Sequence, residues 1–313
     1  MNCAMPVSSD LGKSVLKGVS RSFYLTIRLL PSKMREPVAL GYLLARASDT
    51  IADTAEVPAD LREQCLGCFT PALSAKEKRA DLQQLILSEF VSYQSNAKEQ
   101  HLLERLSDIF EWYDEVPSWQ REAIDKVLDS ICRGQMQDIR HFSIEGNPGL
   151  ESAKATEAYC FHVAGSVGEF WSEVGLQSMY RFSRLEQEQL KELGGDYGIG
   201  LQLVNILRDL PEDFENGRCY LPVADPKDRQ QVIEATGVWR KKAREYIESG
   251  LDYSRSLRYW RCRVATVLPA LIAKETLDLL DDASWDDLKA GVKVNRKTVR
   301  KCLWKAMWFT DQN

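Results

Sequence analysis

Residues 38–54 read VALGYLLARASDTIADT, and the spacing of their few polar side chains decides the fold class. Tyr42, Arg46, Asp49 and Asp53 follow one another at steps of four, three and four, which puts them on one face of an α-helix. Most other positions are apolar. A helix with a single polar stripe is buried on most sides and turns that stripe toward a cavity. The same spacing also suits an i,i+3 Arg46–Asp49 salt bridge on a solvated face.

The helical period continues on either side. LQQLILSEFVSYQ (82–94), HLLERLSDIFEWYDEV (101–116) and WQREAIDKVLDSICRGQM (119–136) carry apolar residues at three and four spacings. Few stretches alternate as a strand would. Breaks are expected at Pro58, Pro117, EGNPG (145–149), LGG (193–195) and LPVADP (221–226). None is long or biased enough for a linker, and there is no internal repeat. The expectation is an all-α chain forming one domain over 1–313, with ten or more helices of ordinary length.

Composition bounds the function. The 313 residues are 44% hydrophobic and 28% charged, with a net charge of −5. That argues against a general nucleic-acid binder. Seven Lys or Arg and no acid fall between 289 and 305, but no aromatic-lined groove or nucleic-acid motif accompanies them. The first fifteen residues lack a signal-peptide core. No stretch has the length of a spanning helix, and the longest candidate, VATVLPALIA, contains Pro269. A cytoplasmic protein with reduced thiols is expected. Cys65 and Cys68 have metal spacing without a second pair, and Cys160 reads as a small core residue. His162, between apolar residues, reads as a core histidine.

A second acidic cluster lies in NILRDLPEDF (205–214). Asp209, Glu212 and Asp213 crowd one turn, where like charges repel by roughly 0.2–0.5 kcal/mol per pair. On a wet surface that is tolerated. It is also what a cation site requires. Gln202, Asn205, Asp209 and Asp213 share a face, as the first stripe does, and each cluster has an arginine just upstream. Mg²⁺ is bound by one or two carboxylates plus substrate phosphates rather than by a full protein cage. Two facing Asp pairs would hold such ions around a diphosphate, with Arg46 and Arg208 taking phosphate oxygens. Pro211 between the later aspartates predicts a kink, because its ring clashes with the Leu207 carbonyl. Between the clusters runs YCFHVAGSVGEFW (159–171). Its two helical glycines imply a close approach, by a neighbouring helix or by an apolar substrate tail.

Together these motifs resemble the squalene and phytoene synthase family. SRSF (20–23), YLLARASDTIAD (42–53), YCFHVAGSVGE (159–169) and GLQLVNILRDLPEDFENGRCYLP (200–222) occur in the family's order, over about residues 15–305. The resemblance implies an isoprenoid synthase fold, a helical bundle around a central cavity. It implies Mg²⁺-dependent head-to-head condensation of two prenyl diphosphates through a cyclopropylcarbinyl diphosphate. Carried over by motif, Asp49, Asp53, Asp209 and Asp213 are the metal carboxylates. Ser20, Arg21, Ser22, Arg46, Arg208 and Tyr220 match diphosphate contacts. Phe23, Tyr42, Tyr159, Gln202 and Asn205 match the reaction centre, with Tyr159 steering or accepting a proton.

The family divides after the cyclopropane. One branch reduces it with NADPH to squalene. Others lose a proton to give dehydrosqualene or phytoene, or stop at presqualene diphosphate or a hydroxylated product. Arg21 in SRSF, where carotenoid-type members carry Lys, points to the reductive branch with farnesyl diphosphate as substrate. So does GVKVNRKTV (291–299), which resembles the loop placing a lysine, here Lys293, near NADPH phosphates; Arg46 and Asn205 are assigned to the same cofactor. Against it, Ala265 stands where eukaryotic members of that branch carry an aromatic four residues before the proline matching Pro269. Non-catalytic assembly factors in the family have lost the aspartates that this chain keeps. A monomer is expected. VKVNRKTVRKCLWKAMWF (292–309) combines helically spaced Val292, Val299, Leu303 and Met307 with Trp304, Trp308 and Phe309 and many basic residues. It reads either as a peripheral membrane contact or as a helix closing the bundle.

Overall fold

The computed structural model describes residues 10–20, 23–144 and 149–309. Among the described residues sixteen α-helical segments follow one another: α1 (Leu16–Val19, continuing a π turn at Leu11–Val15), α2 (Phe23–Leu29), α3 (Ser32–Asp53), α4 (Ala59–Ser74), α5 (Glu77–Glu89), α6 (Ala97–Glu104), α7 (Leu106–Glu115), α8 (Ser118–Ser143), α9 (Ala153–Cys160), α10 (Ser166–Ser178), α11 (Gln187–Arg208), α12 (Leu210–Glu215), α13 (Arg229–Ser256), α14 (Trp260–Asp281), α15 (Trp285–Ala290) and α16 (Arg296–Met307). Among the described residues there is no strand, only an isolated bridge between Ser183 and Leu257. The all-α reading holds. The backbone gathers into two compact units, 1–143 and 144–313, whose boundary falls beside the EGNPG break.

In the first unit α3 is the axis. It packs on α4, α6, α7 and α8 and buries Leu40, Leu43, Leu44, Ala47 and Ile51. The helix starts at Ser32, earlier than a start after Pro37 would suggest. Pro31 caps it, its carbonyl accepting from the Met34 and Arg35 N–H groups. Pro37 is tolerated in the second turn because the carbonyl it leaves unpaired, that of Lys33, lies at an exposed end. The 101–116 segment is two helices, divided at Arg105 (φ −94°, ψ 13°). Arg79 fastens three elements. From α5 it donates to the Ala72 and Leu73 carbonyls ending α4, at 2.8 and 2.7 Å, and grips both oxygens of Asp114 on α7, at 2.8 and 3.0 Å. These hydrogen bonds hold the Asp114 carboxyl down at about 2.

In the second unit α11 is the axis, against α9, α10, α13 and α14. It runs straight through the LGG where a break was expected. The reason is its neighbour: a Cβ on Gly168 would stand 1.8 Å from the Gly194 carbonyl oxygen, and one on Gly198 would stand 2.2 Å from that of Ala164. The small residues of 164–168 are therefore occupied by a second backbone rather than by a substrate tail. The seam lets the helices touch main chain to main chain. α14 likewise continues through Pro269. Beside that proline the Tyr197 hydroxyl donates to the Thr266 carbonyl at 2.8 Å. His162 is partly buried on the π turn Phe161–Gly165 rather than enclosed in the core. No helix of the described residues is long and apolar enough to cross a membrane.

Candidate active site

The first unit assembles one set of candidates around α3. Asp49 and Asp53 lie on the predicted stripe. The Asp49 side chain is recessed: water reaches 44% of it, while protein crowds the rest. That burial first, and the Asp53 charge second, raise its carboxyl to about 7. The paired carboxylates thus repel each other in the absence of a cation, which suits a site for a hard divalent ion. Arg46 reaches Asp49 only loosely, Nη1 to Oδ2 at 3.9 Å. Its closer partner is Glu99 of α6, whose Oε1 accepts from Nη2 at 2.5 Å and from Asn96 Nδ2 at 3.1 Å. Gln135 of α8, 8% exposed, donates from Nε2 to Asp49 Oδ1 at 2.7 Å. One oxygen of Asp49 is thereby fixed by protein and its rotamer set.

Glu99 and Gln135 were not singled out from sequence. Neither belongs to a stripe, and 86 residues separate Gln135 from Asp49. Tyr42 Oη donates to the Val19 carbonyl at 3.2 Å, and its ring stacks on Phe23 at 5.4 Å. These contacts tie both ends of the SRSF stretch to α3. Ser20 is buried and its hydroxyl donates to the Leu16 carbonyl. Arg21 and Ser22 lie outside the described residues.

The second unit assembles the other set. Asn205 Nδ2 approaches Gln202 Oε1 at 3.4 Å, as their shared face requires. α11 ends at Arg208, and Asp209 takes a non-helical φ −94°, ψ 9°. The expected interruption at Pro211 is real, but it resolves as a new start: Pro211 occupies the first turn of α12, where a missing N–H costs little. The Asp213 N–H still reaches the Asp209 carbonyl at 3.1 Å, so the two aspartates stay one turn apart. Arg208 clasps Asp209 with both arms, Nε–Oδ1 2.8 Å and Nη2–Oδ2 2.5 Å. Tyr159 and Tyr220 stack at 4.8 Å. Tyr220 is buried, and its carbonyl accepts from Thr156 Oγ1 at 2.7 Å.

A cleft of about 310 Å³ is lined by Arg208, Asp209, Pro211, Glu212 and Lys293 among others. Lys293 therefore stands beside the later aspartate cluster, 84 residues from Asp209 in sequence. The turn that brings it there begins at Gly291, whose φ of 89° is costly for any other residue. Lys289 anchors the turn to Glu215 of α12 at 2.6 Å. Ala265 is buried inside α14.

Among the described residues no three His, Cys, Asp or Glu side chains converge on one point. Cys65 is buried, Cys68 is exposed and neither is paired, so the CLGC spacing follows from the helix. Cys160 is buried, and burial pushes its thiol far up.

Residues 16–300 match the family model for squalene/phytoene synthase. The squalene synthase of Yarrowia lipolytica is 26% identical over 301 residues, covering 92% of this chain and 64% of that protein. That of Schizosaccharomyces pombe is 28% identical over 279 residues, covering 84% and 57%. The chain thus spans somewhat over half the length of these curated relatives. Among solved structures, a ligand complex of TcSQS aligns with TM-score 0.77 at 22% identity, covering 96% of this chain and 86% of that one. A dehydrosqualene synthase with ligand aligns with TM-score 0.63 at 20% identity, covering 97% and 96%. These likenesses show the isoprenoid synthase fold.

Proposed function

The chain belongs to the squalene/phytoene synthase family, and on that premise we propose that it is a squalene synthase, joining two farnesyl diphosphates head to head through presqualene diphosphate and reducing the product with NADPH. One observation carries the choice of branch: Lys293 lines the same cleft as Arg208 and Asp209, so a phosphate-bearing reductant held by Lys293 would stand next to the diphosphate machinery. The curated relatives named above as squalene synthases support the same reading.

Asp49, Asp53, Asp209 and Asp213 would hold Mg²⁺, which when bound would neutralise charge on the departing diphosphate. Gln135 orients Asp49. Arg46 and Arg208 bind phosphate oxygens, Arg208 by exchanging Asp209 for substrate. Phe23, Tyr42, Tyr159, Gln202 and Asn205 shape the reaction centre, and Ser20, Arg21, Ser22 and Tyr220 complete the diphosphate contacts. A second reading, proton loss to dehydrosqualene or phytoene without reduction, draws on Ala265, whose methyl supplies no ring beside Pro269. Against it, Tyr197 brings an aromatic to the neighbouring turn from α11.

Purified protein incubated with farnesyl diphosphate and Mg²⁺, with and without NADPH, separates the two. Squalene with NADPH and presqualene diphosphate without it is the expected result. The same unreduced hydrocarbon in both tubes overturns the reductive assignment.

A further inference from the structure

α16 meets its surroundings with two different faces. Its inner face carries Cys302 and Ala306, both buried, and packs on α14. That contact is the bundle-closing role foreseen from sequence. It leaves the other side unexplained. Trp304 and Trp308, four residues apart, are each 63% exposed, and their rings lie 5.9 Å apart. Leu303 and Met307 are also exposed beside them. The outward apolar residues are thus the two tryptophans with Leu303 and Met307, as the sequence suggested, while Val299 turns partly inward.

At 100° per residue, Arg300 falls on one side of Trp304, and Lys297 and Lys301 fall on the other side near Trp308. All three cations are exposed. Lys305 reaches Glu275 at 3.6 Å; among the described residues no carboxylate pairs with Arg300, Lys297 or Lys301. A monomer surface rarely leaves two large rings together in water without a use for them. Indole rings with a wet N–H edge are matched to the headgroup depth of a bilayer. Cations flanking them on both sides are what an anionic leaflet attracts.

We propose that the outer face of α16 docks on an anionic phospholipid surface, lying in its plane with Trp304 and Trp308 inserted and Lys297, Arg300 and Lys301 against headgroup phosphates. The charge selects this occupant. A second copy of the chain would bring the same cations face to face, and a neutral lipid surface would leave them without partners. The docking stands independently of the catalytic reading, because none of these five residues belongs to the aspartate clusters or the Lys293 cleft.

Flotation of the full chain with vesicles of phosphatidylcholine, alone or with a third phosphatidylglycerol, tests it. Binding is expected to the anionic vesicles only, weakening with salt. Each cation removed should cost roughly fivefold in partitioning, so Lys297→Glu with Lys301→Glu should abolish it. Trp304→Ser with Trp308→Ser should weaken binding at least tenfold, and wild-type tryptophan emission should shift blue on binding and be quenched by bromolipid. Circular dichroism and condensation activity in vesicle-free buffer show that the variants still fold. No binding at low salt overturns the proposal. So does equal binding by the double tryptophan variant, and so does a tryptophan-dependent dimer on light scattering without vesicle binding.

Discussion

On the function proposed above, Asp49 is costly to the empty protein and necessary to the working one. Its carboxyl stands near 7 in the folded chain and near 4 in an unfolded one. Above the unfolded value the unfolded state loses its proton first, so this group's contribution to stability falls as pH rises from about 4 to 7. Asp49→Asn should therefore raise the melting temperature of metal-free protein at pH 8, with the gain vanishing toward pH 4, while turnover drops by orders of magnitude. Calorimetry across pH with a parallel assay checks both halves. Lower stability at pH 8 would mean that Asp49 is held by favourable contacts and not by crowding. The stripe containing Asp49 was legible because four polar residues interrupt an apolar helix. Gln135 and Glu99, which hold Asp49 and Arg46, were not. Their partners are fixed by tertiary packing, which leaves no local period to read.

Elements were legible where the chain is punctuated and illegible where it is packed. Pro58 and Pro117 sit just before α4 and α8 as read, whereas Pro37, Pro71 and Pro269 lie inside helices. The LGG reading failed because glycine serves two ends, ending a helix or thinning it, and only the neighbour distinguishes them. Thinning makes a sharp prediction. Gly168→Ala places a methyl on the Gly194 carbonyl of α11, and no side chain can yield there. It should cost about 1–3 kcal/mol or more despite alanine's better helix propensity. Gly237→Ala on α13 meets nothing within 4 Å and should stabilise by about 0.5–1 kcal/mol. Denaturant melts of both variants give opposite signs if the seam is the cause. At the α4–α5–α7 junction, Asp114 carries a depressed carboxyl, so its stabilisation is full above the unfolded value near 4 and lost as pH falls toward 2. Asp114→Asn should cost about 1–2 kcal/mol at pH 7, discounted for partial exposure, and very little at pH 2.

At the scale of the whole molecule, the family was legible from four motifs in order and Lys293 from its loop, while the place of Lys293 beside Arg208 was not, since the lysine arrives there through a turn set by Gly291. Lys293→Ala should slow the NADPH-dependent step by tenfold or more and raise the KM for NADPH, with presqualene diphosphate accumulating at the wild-type rate. Product analysis at two NADPH concentrations checks this. Equal losses in both steps would move Lys293 from the cofactor to the shared diphosphate site.

The clasp of Arg208 on Asp209 has a consequence for time order. While the guanidinium holds both carboxylate oxygens, the edge of the fork that carries Nε and Nη2 is taken, and so is one lone pair on each oxygen. A cation held by Asp209 would compete with Arg208 for the carboxylate, and that edge of the fork would become free for phosphate oxygens. Ion and diphosphate should accordingly load in sequence, metal first. Pyrophosphate titrated into metal-free protein should bind weakly and into Mg²⁺-saturated protein tightly, and Arg208→Lys, which cannot clasp with two arms, should blunt that preference for order.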